Sequence, residues 1–174
     1  MILIPKPRSA SRNFWGVFKQ SNFSGRISLI LSSWFCSGLV PKASGTFGTL
    51  FAIPPAVALN YLGAVWACVT LIIFIPLAVG VSHISGKLLE KDDPSEVVID
   101  EVAGFLITMV FQPLSWTSVI LGFFLFRFFD ILKPFPVGFV DKKVKGGTGI
   151  VLDDILAGLY ANISLRIVLY FFGG

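Results

Sequence analysis

The stretch that decides the fold is residues 92–105, DDPSEVVIDEVAGF, in which acidic side chains lead directly into an apolar run. A proline directly after Asp93 is typical of a helix start, so the pattern predicts a helix with Asp93 as its N-cap. Helical spacing then places Glu96 and Asp100 on one face, with Glu101 beside them. The sequence therefore predicts a row of carboxylates at the N-terminal end of an apolar helix.

Acids in a first helical turn are favoured by the helix dipole, which is a sufficient account of Asp93 and Glu96. It does not account for Asp100 and Glu101, because these two continue into Gly-Phe-Leu-Ile from residue 104. Crowded carboxylates repel one another unless a cation lies between them, and oxygen ligands suit Mg²⁺. We therefore interpret Asp100 and Glu101 as ligands of a divalent cation.

The composition points to a membrane. Hydrophobic residues make up 55% of the 174 residues, charged residues only 14%, and the mean hydropathy is +0.82. One small core cannot hide that much apolar surface, so a lipid bilayer is the expected surrounding. The fold class that follows is all-α: a polytopic helical membrane protein.

Five apolar stretches are candidate spans, and they cover residues 48–60, 62–81, 97–112, 114–132 and 153–172. A straight span needs about 20 apolar residues, which several of these stretches fall short of. Pro54, Pro55 and Pro76 are expected to kink or interrupt their helices. The prediction is four or five short or broken spans, with loops at the cytoplasmic face.

Charge placement predicts the orientation. The turns at 60–63 and 112–117 carry no charge, whereas segments 1–42, 82–96 and 133–147 hold nearly all lysines and arginines. Positive residues stay on the cytoplasmic side of a membrane. We therefore expect two helical hairpins that start and end in the cytoplasm, followed by a last span that ends outside.

A second cluster is Arg127-Phe-Phe-Asp130-Ile-Leu-Lys133, at the end of an apolar helix. Spacing of three residues puts the charged side chains on one face. They could be an ordinary Arg–Asp pair with a lysine reaching for water. They could equally be a phosphate clamp, with Arg127 and Lys133 as donors and Asp130 orienting them or binding a metal.

Two glycine-containing loops complete the candidates. In residues 146–158, GGTGIVLDDILAG, backbone N–H groups near Gly147 could hold an anion, and Asp153 with Asp154 could complete a cation site. In residues 41–50, Gly45 and Thr46 precede an apolar helix. That loop either binds phosphate or only caps the helix.

Together these segments resemble the bacterial phosphatidylglycerophosphatase A family, over roughly residues 34–165. The matching stretches are 43–49, 93–105, 126–136 and 146–160. The resemblance implies an all-helical membrane enzyme that needs Mg²⁺ and serves phosphatidylglycerol synthesis. In two places the chain departs from the family pattern: Ser44 stands where a proline is usual, and Asp92 where a histidine is frequent.

The residues alone also favour metal-assisted hydrolysis. The single histidine, His83, lies outside the clusters, and Cys36 is not followed by the arginine of a cysteine-phosphatase loop. We expect a water molecule to attack the phosphate and Asp93 or Glu101 to accept its proton; an aspartate nucleophile is the alternative. Arg127 and Lys133 would neutralise the phosphate. The expected metal ligands are Asp100, Glu101, Asp130, Asp153 and Asp154.

The sequence thus predicts hydrolysis of phosphatidylglycerophosphate at the cytoplasmic face of a bacterial inner membrane, with no nucleic-acid partner. An organellar source and a small carboxylate-lined transporter or channel are the alternatives. Residues 1–33 are expected to form a basic segment, disordered or on the membrane surface, before a membrane domain at 34–174.

Overall fold

The computed structural model describes residues 13–172, and within that range the chain is all-helical, with no β-strand. The predicted all-α class is confirmed for this part of the chain. A short 3₁₀ turn occupies Ser37–Leu39. The α-helices in chain order are α1 (Phe14–Gln20), α2 (Phe23–Ser32), α3 (Ser44–Phe51), α4 (Ile53–Tyr61), α5 (Ala64–Leu89), α6 (Ile99–Met109), α7 (Trp116–Leu132), α8 (Val137–Lys143) and α9 (Gly146–Phe172).

Helix α6 is the centre of the molecule. Every residue from Val102 to Met109 is buried, and α9 packs along the helix while α3, α4, α5 and α7 enclose it. Phe105 of α6 meets Phe126 of α7 edge to face, with ring centroids 6.2 Å apart. The apolar run that follows Asp100 in the sequence is therefore the core of the fold.

The backbones of α6 and α9 touch at two glycines. A Cβ atom at Gly158 would collide with the Gly104 carbonyl group, so only glycine allows this approach. Asp100 lies four residues before Gly104, and Asp154 lies four residues before Gly158. Since four residues make about one helical turn, the crossing brings these two carboxylates toward each other.

Side-chain amides close the other end of α6. The Asn162 Nδ2 donates to three carbonyl oxygens near that end, each at 2.9 Å, and the Asn60 Nδ2 donates to the Met109 oxygen at 3.0 Å. Gln112 Nε2 donates in turn to the Asn162 carbonyl at 2.9 Å. The last carbonyls of a helix need such partners, so α6 can end inside the protein.

Helix α6 begins five residues later than predicted, and Asp93 is not its N-cap. Residues 94–97 form a turn, in which the Val97 N–H donates to the Pro94 oxygen at 2.9 Å. The Val98 N–H donates to the Ser32 oxygen at 2.8 Å, which ties the segment to α2. That contact keeps residues 94–98 out of the helix, and α6 starts at Ile99.

In the described part of the chain, two helices are long and apolar enough to cross a membrane, α5 and α9. That is fewer than the four or five spans predicted. The stretch 97–112 yields only the 11-residue α6, about 16 Å long against about 30 Å of hydrocarbon. Helix α7 has 17 residues, and 48–60 divides into α3 and α4.

The prolines affect their helices differently. Pro54 and Pro55 lie in the first turn of α4, where a missing N–H costs little. The preceding helix, α3, ends at Phe51, just before them. Pro76 lies inside α5, which continues through it for 26 residues. Of the kink or interruption predicted at Pro76, the interruption does not occur.

Large apolar side chains cover the outside of the bundle. Ile72 and Ile73 of α5, Phe124 of α7 and Ile163 of α9 are more than half exposed. Large apolar side chains exposed on several helices at once are typical of a protein that faces lipid. Membrane association therefore follows from the outer surface as well as from the two long helices.

Part of the predicted N-terminal segment lies outside the described residues, including Lys6, Arg8 and Arg12. From residue 13 onward the segment is helical, and α2 packs against α5. Phe14, Val17 and Leu29 are buried there with Leu89.

Candidate active site

One polar cavity of about 340 Å³, which we call the acid cavity, is lined by most of the predicted site residues. It lies where α6 and α9 begin and α7 ends, and the loops before α3 and α6 complete its wall. The predicted residues that line it are Gly45, Thr46, Asp93, Asp100, Glu101, Arg127, Asp130, Lys133, Asp153 and Asp154. Residues up to 109 positions apart in the sequence therefore share one space.

Three carboxylates form the densest part of the cavity wall. Asp100, Glu101 and Asp154 each offer one oxygen, and these oxygens lie within 4.8 Å of one another. Asp100 and Asp154 are buried, and Glu101 is partly buried. The glycine crossing of α6 and α9 explains this proximity, because it holds the two backbones in contact one turn away.

Two cations hold the other predicted metal ligands. The Arg127 guanidinium donates to Asp130 from the preceding turn of α7. Lys133 Nζ lies 2.7 Å from an oxygen of Asp153 and 2.7 Å from an oxygen of Asp141. Asp130 is also close enough to share a hydrogen bond with Asp154, so the cation pairs and the three-acid group are continuous.

The carboxyl groups at the start of α6 are hard to ionise. Removal from water raises the pKa of Asp100 well above its usual value, and the nearby charge of Glu101 raises it further. Removal from water likewise raises the pKa of Glu101, from its usual 4.5 to about 8. Burial alone would lower the pKa of Lys133, but its hydrogen bonds to Asp141 and Asp153 outweigh burial and raise it.

The donor set fits a hard divalent cation. Among the described residues, three carboxylate oxygens here are buried without a hydrogen-bond partner: Asp100 Oδ1, Glu101 Oε2 and Asp153 Oδ1. Leaving such oxygens unpaired is costly, and a cation in their midst would remove the cost. Oxygen-only ligands are what Mg²⁺ prefers, so these acids are suited to hold one.

A sequence model described as phosphatidylglycerophosphatase A matches residues 30–169 of the chain. The chain belongs to the phosphatidylglycerophosphatase A family. Its relatives include a phosphatidylglycerophosphatase A of Escherichia coli strain K12, 38% identical over 147 residues that cover 83% of this chain and 82% of the relative. No solved structure matches the chain significantly.

Two further relatives show the spread of names. A phosphatidylglycerophosphatase A of Haemophilus influenzae is 37% identical over 144 residues, covering 81% of this chain and 88% of the relative. A Bacteroides thetaiotaomicron protein, named as a candidate phosphatidylinositol-3-phosphatase, is 34% identical over 157 residues. That alignment covers 84% of this chain and 96% of the relative.

Gly45 and Thr46 were predicted in a loop, but both lie in the first turn of α3, and this turn contributes directly to the site of this phosphatidylglycerophosphatase A family member. A Cβ atom at Gly45 would lie against Glu101 Oε1 and 2.9 Å from Arg127 Nη1. The Thr49 hydroxyl donates to the Gly45 oxygen at 2.8 Å, which fixes the first turn of α3. Gly45 is thus the position that lets this backbone approach the acids.

Two residues from the predicted clusters lie elsewhere. Gly147 packs against the α5 backbone at Val79 and His83, and it lines a neighbouring cleft instead of the acid cavity. Glu96 turns away and pairs with Lys91, with nitrogen and oxygen 2.8 Å apart. His83 lines the same neighbouring cleft as Gly147 and does not line the acid cavity.

Sequence reasoning missed Asp141, which pairs with Lys133 and lines the cavity. It stands among Val140, Lys142 and Lys143, a context typical of a solvated surface turn. Only its position in the sequence, between Lys133 and the glycine-rich start of α9, could have indicated a role. The cavity wall also includes Lys42, Asp92 and Lys145.

Proposed function

We propose that the chain hydrolyses phosphatidylglycerophosphate to phosphatidylglycerol and inorganic phosphate, using Mg²⁺, at the cytoplasmic face of a bacterial inner membrane. The observation that carries the proposal is the single cavity in which Asp100, Glu101 and Asp154 converge beside Arg127 and Lys133. Family membership supplies the substrate, since two relatives of the chain are named for this activity.

Asp100, Glu101 and Asp154 would hold the cation, with Asp130 and Asp153 next to them. A bound Mg²⁺ polarises phosphoryl oxygens and lowers the pKa of a water ligand. The surrounding apolar core keeps these acids in place, because Ile99, Val102 and Ala103 on the same helix are buried. The acids therefore need no large rearrangement to form the site.

Arg127 and Lys133 would bind the phosphate that is removed. Each is already oriented by a carboxylate, Arg127 by Asp130 and Lys133 by Asp141 and Asp153. Fixed donors of this kind stabilise charge on a transferring phosphoryl group without reorganising. The backbone near Gly45 and the exposed Thr46 line the same cavity and can donate to the remaining oxygens.

Proton movement completes the proposed reaction. The attacking water forms the new P–O bond and gives a proton to Asp93 or Glu101, both of which line the cavity. The bond between phosphorus and the glycerol oxygen breaks, and that oxygen takes a proton from solvent water to become the hydroxyl of the product. Asp93 is exposed at the cavity and can exchange its proton with water.

The positions of the lysines support the proposed orientation. Lys42, Lys87, Lys91 and Lys145 all lie in loops or helix ends on the side where the cavity lies. Positive residues favour the cytoplasmic side, so we place the cavity there. The turn between α4 and α5 and the segment between α6 and α7 would then face the other side, as the predicted hairpins require.

The alternative of a carboxylate-lined transporter is less consistent with this geometry. A transporter needs acids near the middle of the membrane and a path to both sides. Here the acids lie at helix ends, and Asn60, Gln112 and Asn162 fill the region beyond α6 with hydrogen bonds. The arrangement suits chemistry at one face.

The test is phosphate release from phosphatidylglycerophosphate in detergent, with and without Mg²⁺, with phosphatidylinositol 3-phosphate as a second substrate. We expect Asp100→Asn and Asp154→Asn to lower the rate by about 100-fold or more, because each removes a proposed ligand. Glu90→Gln, an exposed acid outside the cavity, is the matched control and should keep full activity. Mg²⁺-replete wild type without release would refute the function, and fully active Asp100 and Asp154 variants would refute the site.

A further inference from the structure

Four basic side chains line the acid cavity, and they differ in how they are engaged. Arg127 and Lys133 are each paired with carboxylates of the cavity wall. Lys42 and Lys145 line the same cavity, yet within residues 13–172 neither has a carboxylate partner. The cavity therefore offers two positive charges that have no ion-pair partner among the residues the structure describes.

Both free lysines stand at bends beside the cavity entrance. Lys42 has a left-handed backbone, with φ of 67°, in the loop before α3, and its side chain is exposed. Lys145 is also exposed, directly before Gly146, whose φ is 72°. A lysine in a left-handed conformation costs free energy relative to glycine, so the surrounding structure holds Lys42 there.

The proposed substrate carries two phosphates with different fates. The phosphomonoester is hydrolysed, whereas the phosphodiester joins the headgroup to diacylglycerol and stays in the product. Phosphatidylinositol 3-phosphate has the same pair of groups. Because the acyl chains cannot enter an acid-lined cavity, the diester must stay near the entrance while the monoester reaches Arg127 and Lys133.

Lys42 is placed between two spaces. It lines the acid cavity and also an adjoining cleft that Trp15, Leu39 and Val40 help to form. The phosphodiester, which links the polar headgroup to the apolar diacylglycerol, would lie at this boundary. A lysine ammonium there is a mobile donor suited to a diester with one permanent negative charge.

We propose that Lys42 and Lys145 bind the diester phosphate and thereby select lipids that carry a phosphomonoester and a phosphodiester. This inference rests on the proposed function. Arg127 and Lys133 bind the phosphate that reacts. Lys42 and Lys145 bind a second phosphate, if the lipid carries one. Lipids with only a monoester, such as phosphatidate, leave Lys42 and Lys145 without a ligand.

The experiment compares Lys42→Gln, Lys145→Gln and the double variant with wild type in mixed micelles of constant charge. Lys142→Gln and Lys143→Gln are matched controls, since both are exposed lysines of the same segment outside the cavity wall. The lipids are phosphatidylglycerophosphate and phosphatidate, the latter measured as substrate or as competitor. Thermal unfolding in detergent verifies that each variant is folded.

We expect the cavity lysine variants to raise KM for phosphatidylglycerophosphate about tenfold each, with kcat nearly unchanged, because a charge-assisted contact is lost. Affinity for phosphatidate should stay constant, and the control variants should match wild type. An unchanged KM in active variants, or equal losses for both lipids, would overturn the inference alone. Inactive wild type would overturn the proposed function and this inference with it.

Discussion

Asp100 and Glu101 are neighbours in the first turn of α6, and both carboxyl groups have raised pKa values because they are removed from water. An acid with a raised pKa keeps its proton at a pH where it would lose it in the unfolded chain. The metal-free folded protein therefore binds extra protons between pH 4.5 and about 8 at Glu101. A cation that uses these oxygens must displace those protons.

We therefore predict that Mg²⁺ binding strengthens as the pH rises to about 8. The sign follows from linkage: the proton on Glu101 favours the metal-free fold below its unfolded pKa, and this contribution is lost as the pH rises through about 8. The measurement is the Mg²⁺-induced rise in Tm at a series of pH values. Glu101→Gln should flatten the profile, and a pH-independent Mg²⁺ effect in wild type would contradict the prediction.

Gly45 provides a second prediction. A Cβ atom there would press on Glu101 Oε1 and Arg127 Nη1, which are ends of flexible side chains. We expect Gly45→Ala to fold with nearly unchanged Tm but to lose about 100-fold in phosphate release, because the reacting groups are displaced. Gly80→Ala is the control, since a Cβ atom there meets open space. Equal activity of both variants would show that the close approach of the α3 backbone at Gly45 does not position the reacting groups.

The sequence identified the acids of this site well and their partners poorly. Asp100 and Glu101 stood out because a charge that continues into an apolar run needs a reason. Asp141 did not, because its pairing with Lys133 depends on where α8 folds back. Gly147 was predicted to bind phosphate, but its missing side chain instead admits the backbone of α5. Both depend on contacts between helices, which local patterns do not contain.

The crossing of α6 and α9 sets the distance between the two main acids. A Cβ atom at Gly158 would meet backbone atoms of Gly104, at 3.0 and 3.1 Å from its carbonyl carbon and Cα. Backbone cannot rotate away as a side-chain end can, so the helices themselves must separate. The cation site depends on this contact, because Asp100 and Asp154 each lie one turn away from it.

We predict that Gly158→Ala lowers the free energy of unfolding by about 1–3 kcal/mol and weakens Mg²⁺ binding. Both quantities come from thermal unfolding in detergent, with and without Mg²⁺. Gly80→Ala, in the exposed middle of α5, should change neither. Loss of stability with intact Mg²⁺ binding would show that the crossing supports the fold but does not position the acids.

The bounds of α6 illustrate the reach of sequence reasoning for helices. The sequence predicts a membrane span over 97–112, whereas α6 is a short core helix; only its apolar character was readable from the composition. Its start at Ile99 was not, because a hydrogen bond from Val98 to Ser32, 66 residues away, holds the preceding turn. Its early end depends on Asn60 and Asn162. Long-range polar contacts thus set both ends of this helix.

The assembled bundle predicts which ends of the helices share a side of the membrane. Thr148 is exposed at the start of α9 beside the cavity, and Trp116 is 83% exposed at the start of α7 on the opposite side. With Cys36 and Cys68 replaced by serine, we expect Thr148→Cys to react with an impermeant maleimide only in inverted vesicles. Trp116→Cys should react only in right-side-out vesicles. Labelling of both from the same side would refute the topology.

The amide cluster of Asn60, Gln112 and Asn162 has a consequence for lipid traffic. Hydrogen bonds occupy the region at the C-terminal end of α6. The headgroup of the product would therefore leave the cavity on the same side of the membrane from which the substrate entered. Newly made phosphatidylglycerol would accumulate in a single leaflet, and a growing bilayer would need a separate flippase to balance its two halves. Vesicles that contain only this protein should become asymmetric as they turn over their lipid.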